Sequence, residues 1–250
     1  MFSKTYTIIA VAAFSTATAF SFASGKKTSF THDVVVTEVE LPVIPVSSVK
    51  QSIKDIKKRS DYHSYLWKSA EINGSKVFRI DKTISMYLEN KARYVAIERM
   101  RAGGVPSAII FSLHGRESTW SFKKHLHEGS LLTDRTKWVP KGRPKAPPSN
   151  GSVYTFEESS EDALYKLKDL ESINWKDCNT ALYNIEKYNG LGYLKYRSIH
   201  SPYLWAGTNH YTKGKYVADG KYSSTATDKQ LGTCAILKRM SDIGIAIGFN

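Results

Sequence analysis

The chain has 250 residues, of which 41% are apolar and 24% charged, enough for one substantial core of the soluble globular kind. Beyond the N-terminus no segment approaches the ~20 apolar residues that a membrane-spanning helix needs. The formal net charge of +13 suits polyanions, whether anionic cell-wall polymers, lipid headgroups or nucleic acid.

Residues 1–23 read as an export signal, with Lys4 as the positive start, "TIIAVAAFSTATAF" as the apolar stretch and "SFA" at the cleavage positions. Removing it leaves a charge of +12 (13 − 1). Export argues against nucleic acid as partner. Residues 24–47 form an extended lead-in containing Pro42 and Pro45. From Ser47 or Ser48 a helix is predicted through "VKQSIKDIKKR", with Val49, Ile53 and Ile56 on one stripe. Asp81 caps a long helix that ends at Gly103-Gly104, and Pro106 opens the next. That helix carries Ile109, Ile110 and Leu113 on an apolar face, and Glu117 falls on the same side.

From Trp120 to about Tyr154 helical periodicity is lost. "HLHEGSLLTDRTKWV" reads as a hairpin or long cleft-side loop, and "PKGRPKAPPSNG" as a surface excursion. Helices resume at Thr155, after Trp175 and across "DKQLGTCAILKRMSDI", with a long aromatic segment between the last two. The expected class is α+β, mostly α, with one domain over residues 48–250. Cys178 and Cys234, the only cysteines, invite a disulfide in an oxidising compartment; two separate buried thiols are the alternative.

Several residues point to chemistry. A carboxyl against apolar walls has its pKa raised, and a raised pKa suits a group that protonates a leaving oxygen near neutral pH. Glu117 occupies such a position; a salt bridge to Arg116 is the plainer reading. Thr155 and Glu158 have the spacing of a capping box, a structural role for Glu158. His125 and His127 alternate onto one face, where substrate hydrogen bonding or packing is favoured over zinc, even with His114 and His210 added. "YNGLGY" closes a helix at Asn189-Gly190. "SPYLWAGTNHYTKGKY" gathers Tyr203, Trp205, Asn209, His210, Tyr211 and Thr212, rings and polar groups suited to a saccharide, or else a tyrosine-rich loop over the core.

The pair Glu117-Ser118 ending an apolar helix, and the later Tyr188-Asn189-Gly190 helix end, resemble the lysozyme-like superfamily, including lytic transglycosylases and goose-type lysozymes. "HGRESTWSFKKHLHEGSLLTDRT", "WVPKGRP", "TFEES", "YNGLGY" and "SPYLWAGTNHYTKGKYVADG", in that order over residues 80–250, resemble bacterial and phage-borne peptidoglycan glycosidases. The resemblance implies a helical domain with a small β-hairpin along a substrate cleft. It implies Glu117 as catalytic acid, with Tyr188 and Asn189 lining the cleft beside it. The implied activity is cleavage of the β-1,4 bond between N-acetylmuramic acid and N-acetylglucosamine, by an exported monomer without metal or cofactor. Its partners are peptidoglycan glycan strands, with anionic wall polymers as a further candidate. Ser118, His125, His127, Tyr203, Trp205, Asn209, His210, Tyr211 and Thr212 are the other expected substrate contacts, and Glu128 and Asp134 the candidate second carboxylates. No segment like Gly-Leu-Met-Gln follows the acid, which leaves hydrolysis and cyclisation to anhydro ends both open; a hydrolase is the expected reading and a lytic transglycosylase the alternative. A wall-binding module without chemistry is the third reading.

Overall fold

A computed structural model describes residues 51–249, which fall within one unit of the chain, Ser48–Asn250. The readings of residues 1–23 and 24–47 lie outside the described residues. Helix α1 is only Ile53–Ile56, capped by Ser52, and none of its residues is fully buried. Helix α2 is Tyr62–Lys68. A 3-10 turn, Gly74–Lys76, leads into α3, Val77–Glu98. Asp81 therefore does not cap that helix. It lies one turn inside and pairs with Arg239 at 2.7 Å, while Asn73 opens the preceding 3-10 turn by accepting from Ser75 N.

Helix α4, Ser107–Ser118, opens after Pro106 as its sequence predicts, and every residue from Ser107 to Gly115 is buried. The Glu98 carboxylate accepts Ser107 N–H at 2.9 Å and so satisfies one of the unpaired amides at the helix start. Ile109, Ile110 and Phe111 are 0% exposed; α4 is the central rod of the core, packed between α3 and the last helix.

Helix α5, Phe156–Glu161, begins with the capping box of Thr155 and Glu158 and runs into a π-helical turn, Asp162–Leu167. Helix α6, Cys178–Asn189, is capped by Asp177 and stops at Gly190, whose φ of 105° is open to glycine alone. Short helices α7 (Gly192–Tyr196) and α8 (Pro202–Trp205) follow. Strands β1 (Lys215–Ala218) and β2 (Lys221–Ser223) pair antiparallel with a bulge. Helix α9, Thr233–Asp242, is the last element of the described chain. It starts later than its sequence pattern predicts, because Asp228 is spent on an ion pair with Arg116.

The class is mostly helical with a small antiparallel sheet. The sheet lies in the aromatic segment rather than at "HLHEGSLLT". That stretch is a hairpin-shaped loop with a single bridge, Lys124 to Leu131, because its histidines turn inward to side-chain partners. Among the described residues no helix is long and apolar enough to cross a membrane. Cys178 and Cys234 are both buried and both free thiols, so the disulfide is not formed.

Candidate active site

The site is built where α4 ends. Thr119 and Trp120 both have positive φ, 52° and 58°, a costly conformation for non-glycine residues that turns the chain sharply after Glu117. Trp120 stabilises the turn by donating its indole N–H to Phe111 O at 3.1 Å. Gly129, φ 84°, brings the following loop back against the same helix end, where an added Cβ would sit 2.5 Å from Glu117 O.

Glu117 lines a pocket of about 440 Å³ together with His127, Glu128, Val139, Pro140, Leu167, Lys168, Tyr188 and Asn189. Tyr203 O–H donates to Glu117 Oε1 at 2.6 Å. Burial raises the carboxyl's pKa to about 7, opposed in part by the Tyr203 hydrogen bond and the charges of Arg116 and Lys168, while Glu128 adds to the rise. Arg116 makes no salt bridge to Glu117. Its guanidinium pairs with Asp228 at 2.9 Å and lies 4.9 Å over the Tyr203 ring.

Tyr188 and Asn189 do line the pocket. Tyr188 is anchored by donating to Leu126 O at 3.0 Å. Of the two carboxylate candidates, Glu128 is in the pocket with Glu117, its Oε2 buried without a hydrogen-bond partner among the described residues. Asp134 is not. Its side chain is 69% exposed beside Lys137, while its backbone carbonyl is engaged by His125 Nε2 at 2.7 Å.

The histidine pair is brought together with ring centres 5.6 Å apart. His125 and His127 both bond Ser159 Oγ, at 2.9 and 3.3 Å, and His127 Nε2 meets Asp162 at 2.8 Å. Burial lowers the His127 pKa to about 4 and that of His125 below its ordinary value. Asp162 also holds Arg143 through two contacts of 2.8 Å. The pair thus clamps the 123–144 loop onto the α5–π segment. His127 lines the pocket; His125 is fully buried behind it. His114 lies among core aromatics and His210 on Leu66 O. Among the described residues no three metal-ligating side chains gather.

Five expected substrate contacts, and with them Ser118, are placed elsewhere. Ser118 is 2% exposed and bonded back to His114 O. Trp205 is 0% exposed and packs in the core, so its faces are closed to a sugar. Asn209 clasps Ser69 O and Glu71 N, His210 caps α2, and Tyr211 bonds Gly214 O. Together they fasten the 208–212 segment to the turn after α2, through a bridge from Ile72 to Thr208. Thr212 and Tyr211 line a different hollow with Lys76 and Arg79. Only Tyr203 of that segment reaches the acid.

Lys168, Leu167, Val139 and Pro140 also belong to the pocket, beyond the residues to which the sequence points. Lys168 Nζ donates to Tyr188 O at 3.1 Å, and desolvation lowers its pKa. The π-helical turn aims residues 167 and 168 at the pocket, and such turns have no reliable sequence pattern. An exposed Trp138-Val139 pair (70% and 91%) in a proline-rich loop was a usable signal, since apolar groups on a loop need a reason to stay in water.

Comparison with family models, with curated proteins and with solved structures returns no match.

Proposed function

We propose that the chain is an exported peptidoglycan glycosidase of lysozyme-like architecture, with Glu117 as general acid. The observation that carries this is a carboxyl without an ion-pair partner among the described residues, its pKa raised to about 7, set in a pocket that holds a second carboxylate, Glu128. Protonated Glu117 donates to the glycosidic oxygen as the bond from the muramyl anomeric carbon breaks. The positive charge that builds on the sugar ring is met by the Glu128 carboxylate. A water molecule attacks the anomeric carbon, Glu128 takes its proton, and the product carries a reducing end. Tyr203 holds Glu117 in place, and burial of the carboxyl beside Tyr188 holds its pKa up.

Purified sacculi digested with the parental chain and with Glu117→Gln test the proposal, with fragments read by mass spectrometry. The expected result is muropeptides with reducing muramyl ends from the parent and none from the variant. Anhydro ends would replace the attacking water by the muramyl 6-hydroxyl. Equal release by both chains, or binding to sacculi without release by either, would overturn it, the latter in favour of a wall-binding module. The export step is tested by N-terminal sequencing of protein recovered outside the cytoplasm, with a new terminus expected after Ala23.

A further inference from the structure

The pocket of Glu117 does not end at Asn189. That side chain also lines a second hollow of about 580 Å³, walled by Tyr193, Tyr196 and Tyr216 and by the β1–β2 turn. Tyr203, which holds Glu117, lines it as well. So does the Arg116–Asp228 ion pair, with side chains 8% and 5% exposed. Arg116 Nε is buried with no hydrogen-bond partner among the described residues. A buried donor left unpaired is costly, and an oxygen of a bound ligand would complete it.

Tyr196, 73% exposed, separates this hollow from a third, of about 310 Å³. Five of the eight residues lining the third are cations (Lys54, Lys57, Lys58, Lys195 and Arg197), and none is acidic. Two of the five are structural. Lys57 Nζ donates to the carbonyls of Tyr193, Arg197 and Ile199 at 2.6, 2.8 and 2.6 Å, which ties α1 to α7. Arg197 lies over the rings of Tyr216 and Tyr222. The other three face solvent. Lys54 and Lys195 have no ion-pair partner among the described residues, and Lys58 has only Asp55, at 3.5 Å. Like charges gathered this way repel one another, and an anionic ligand relieves them.

We propose that this cationic hollow, joined to the catalytic cleft by the tyrosine wall, binds the carboxylates of peptide stems on the glycan strand lying in the cleft. The inference rests on the glycan-cleft reading of the Glu117 pocket. Stems are favoured over a separate anionic polymer for two reasons. The hollow is small and local rather than a long basic track, and it continues the cleft through a shared residue, Tyr196. Carboxylates attached to the sugars arrive there at a fixed offset from the bond being cut.

The test measures binding in the Glu117→Gln background, so that the strand is not consumed. Co-sedimentation compares intact sacculi, sacculi stripped of stems by an amidase, and sacculi freed of phosphate polymers by hydrofluoric acid. Each is tested with and without Lys54→Glu, Lys58→Glu and Lys195→Glu combined, with thermal unfolding confirming that the exposed substitutions leave the fold intact. Removing the stems weakens binding roughly tenfold, charge reversal does the same, and the two losses do not add. Removing phosphate polymers has no effect, and added salt erodes the difference. Binding that ignores the charge reversal, or a reversal effect that persists on stem-free strands or follows the phosphate polymers, would overturn the proposal. Should the parental chain release no fragments, the binding comparison still reads the hollow, so the two failures are separable.

Discussion

Glu117 and Glu186 are both carboxylates that helices draw into the interior, and the chain treats them differently. Glu186, 0% exposed on α6, is met by the His63 imidazole at 2.8 Å. Glu117 at the end of α4 is met by a hydroxyl, while the guanidinium beside it is diverted to Asp228. One acid has a base for a partner and fastens α2 to α6. The other has no counter-ion among the described residues, and its pKa is raised to about 7. The contrast teaches that burial alone does not decide where a carboxyl keeps its proton; the partner it meets does.

The largest effect that breaks or upholds this contrast is on rate. Glu117→Gln lowers muropeptide release by about 10³-fold, in the range of general-acid catalysis. A loss under tenfold would put the acid elsewhere. The partnered acid answers in stability instead. His63→Ala leaves Glu186 buried and unpaired and costs about 3–5 kcal/mol in urea unfolding; a cost below ~1 kcal/mol would show that the pair does not matter to the fold.

The third effect has the opposite sign. The Glu117 pKa is raised from 4.5 to about 7, so the native state holds the proton that the unfolded chain has released. Stability therefore falls as pH rises from about 4.5 to about 7, and the cost persists above. Glu117→Gln removes that cost. The variant is more stable than the parent at pH 8, by up to about 3 kcal/mol, and the gain disappears near pH 4. A destabilised variant at pH 8 would mean that the ionised carboxylate is well accommodated. Tyr203→Phe gives the smallest effect. It removes a hydrogen bond that favours the ionised form, so the alkaline limb of activity moves to higher pH, with a rate loss of about tenfold from poorer positioning. An unmoved limb would detach Tyr203 from the acid.

The stretches legible in the sequence are those where one local rule acts alone. Pro106 and the Ile109, Ile110, Leu113 stripe mark α4 and put Glu117 at its buried face; Thr155 and Glu158 mark the start of α5; Asn189-Gly190 marks the end of α6. Tertiary demands overrode the rest. Asp81 looks like a cap, yet a bond from Asn73 starts the turn earlier and Arg239 claims the carboxylate. Period-two alternation in "HLH" suggests a strand, yet both rings are taken by the α5–π segment. "SPYLWAGTNHY" has a sugar site's composition, and most of it serves packing because Trp205 and Tyr211 are large enough to close the core. Lys168 reached the pocket through a π-turn that no periodicity announces.

The most direct test of the unpartnered acid is a carbon-13 titration of the Glu117 carboxyl, run beside the pH dependence of muropeptide release. The account predicts a midpoint near 7, with the rate falling through the same midpoint as the proton is lost. A carboxyl that titrates near 4.5, or release that continues undiminished once Glu117 is ionised, would contradict it.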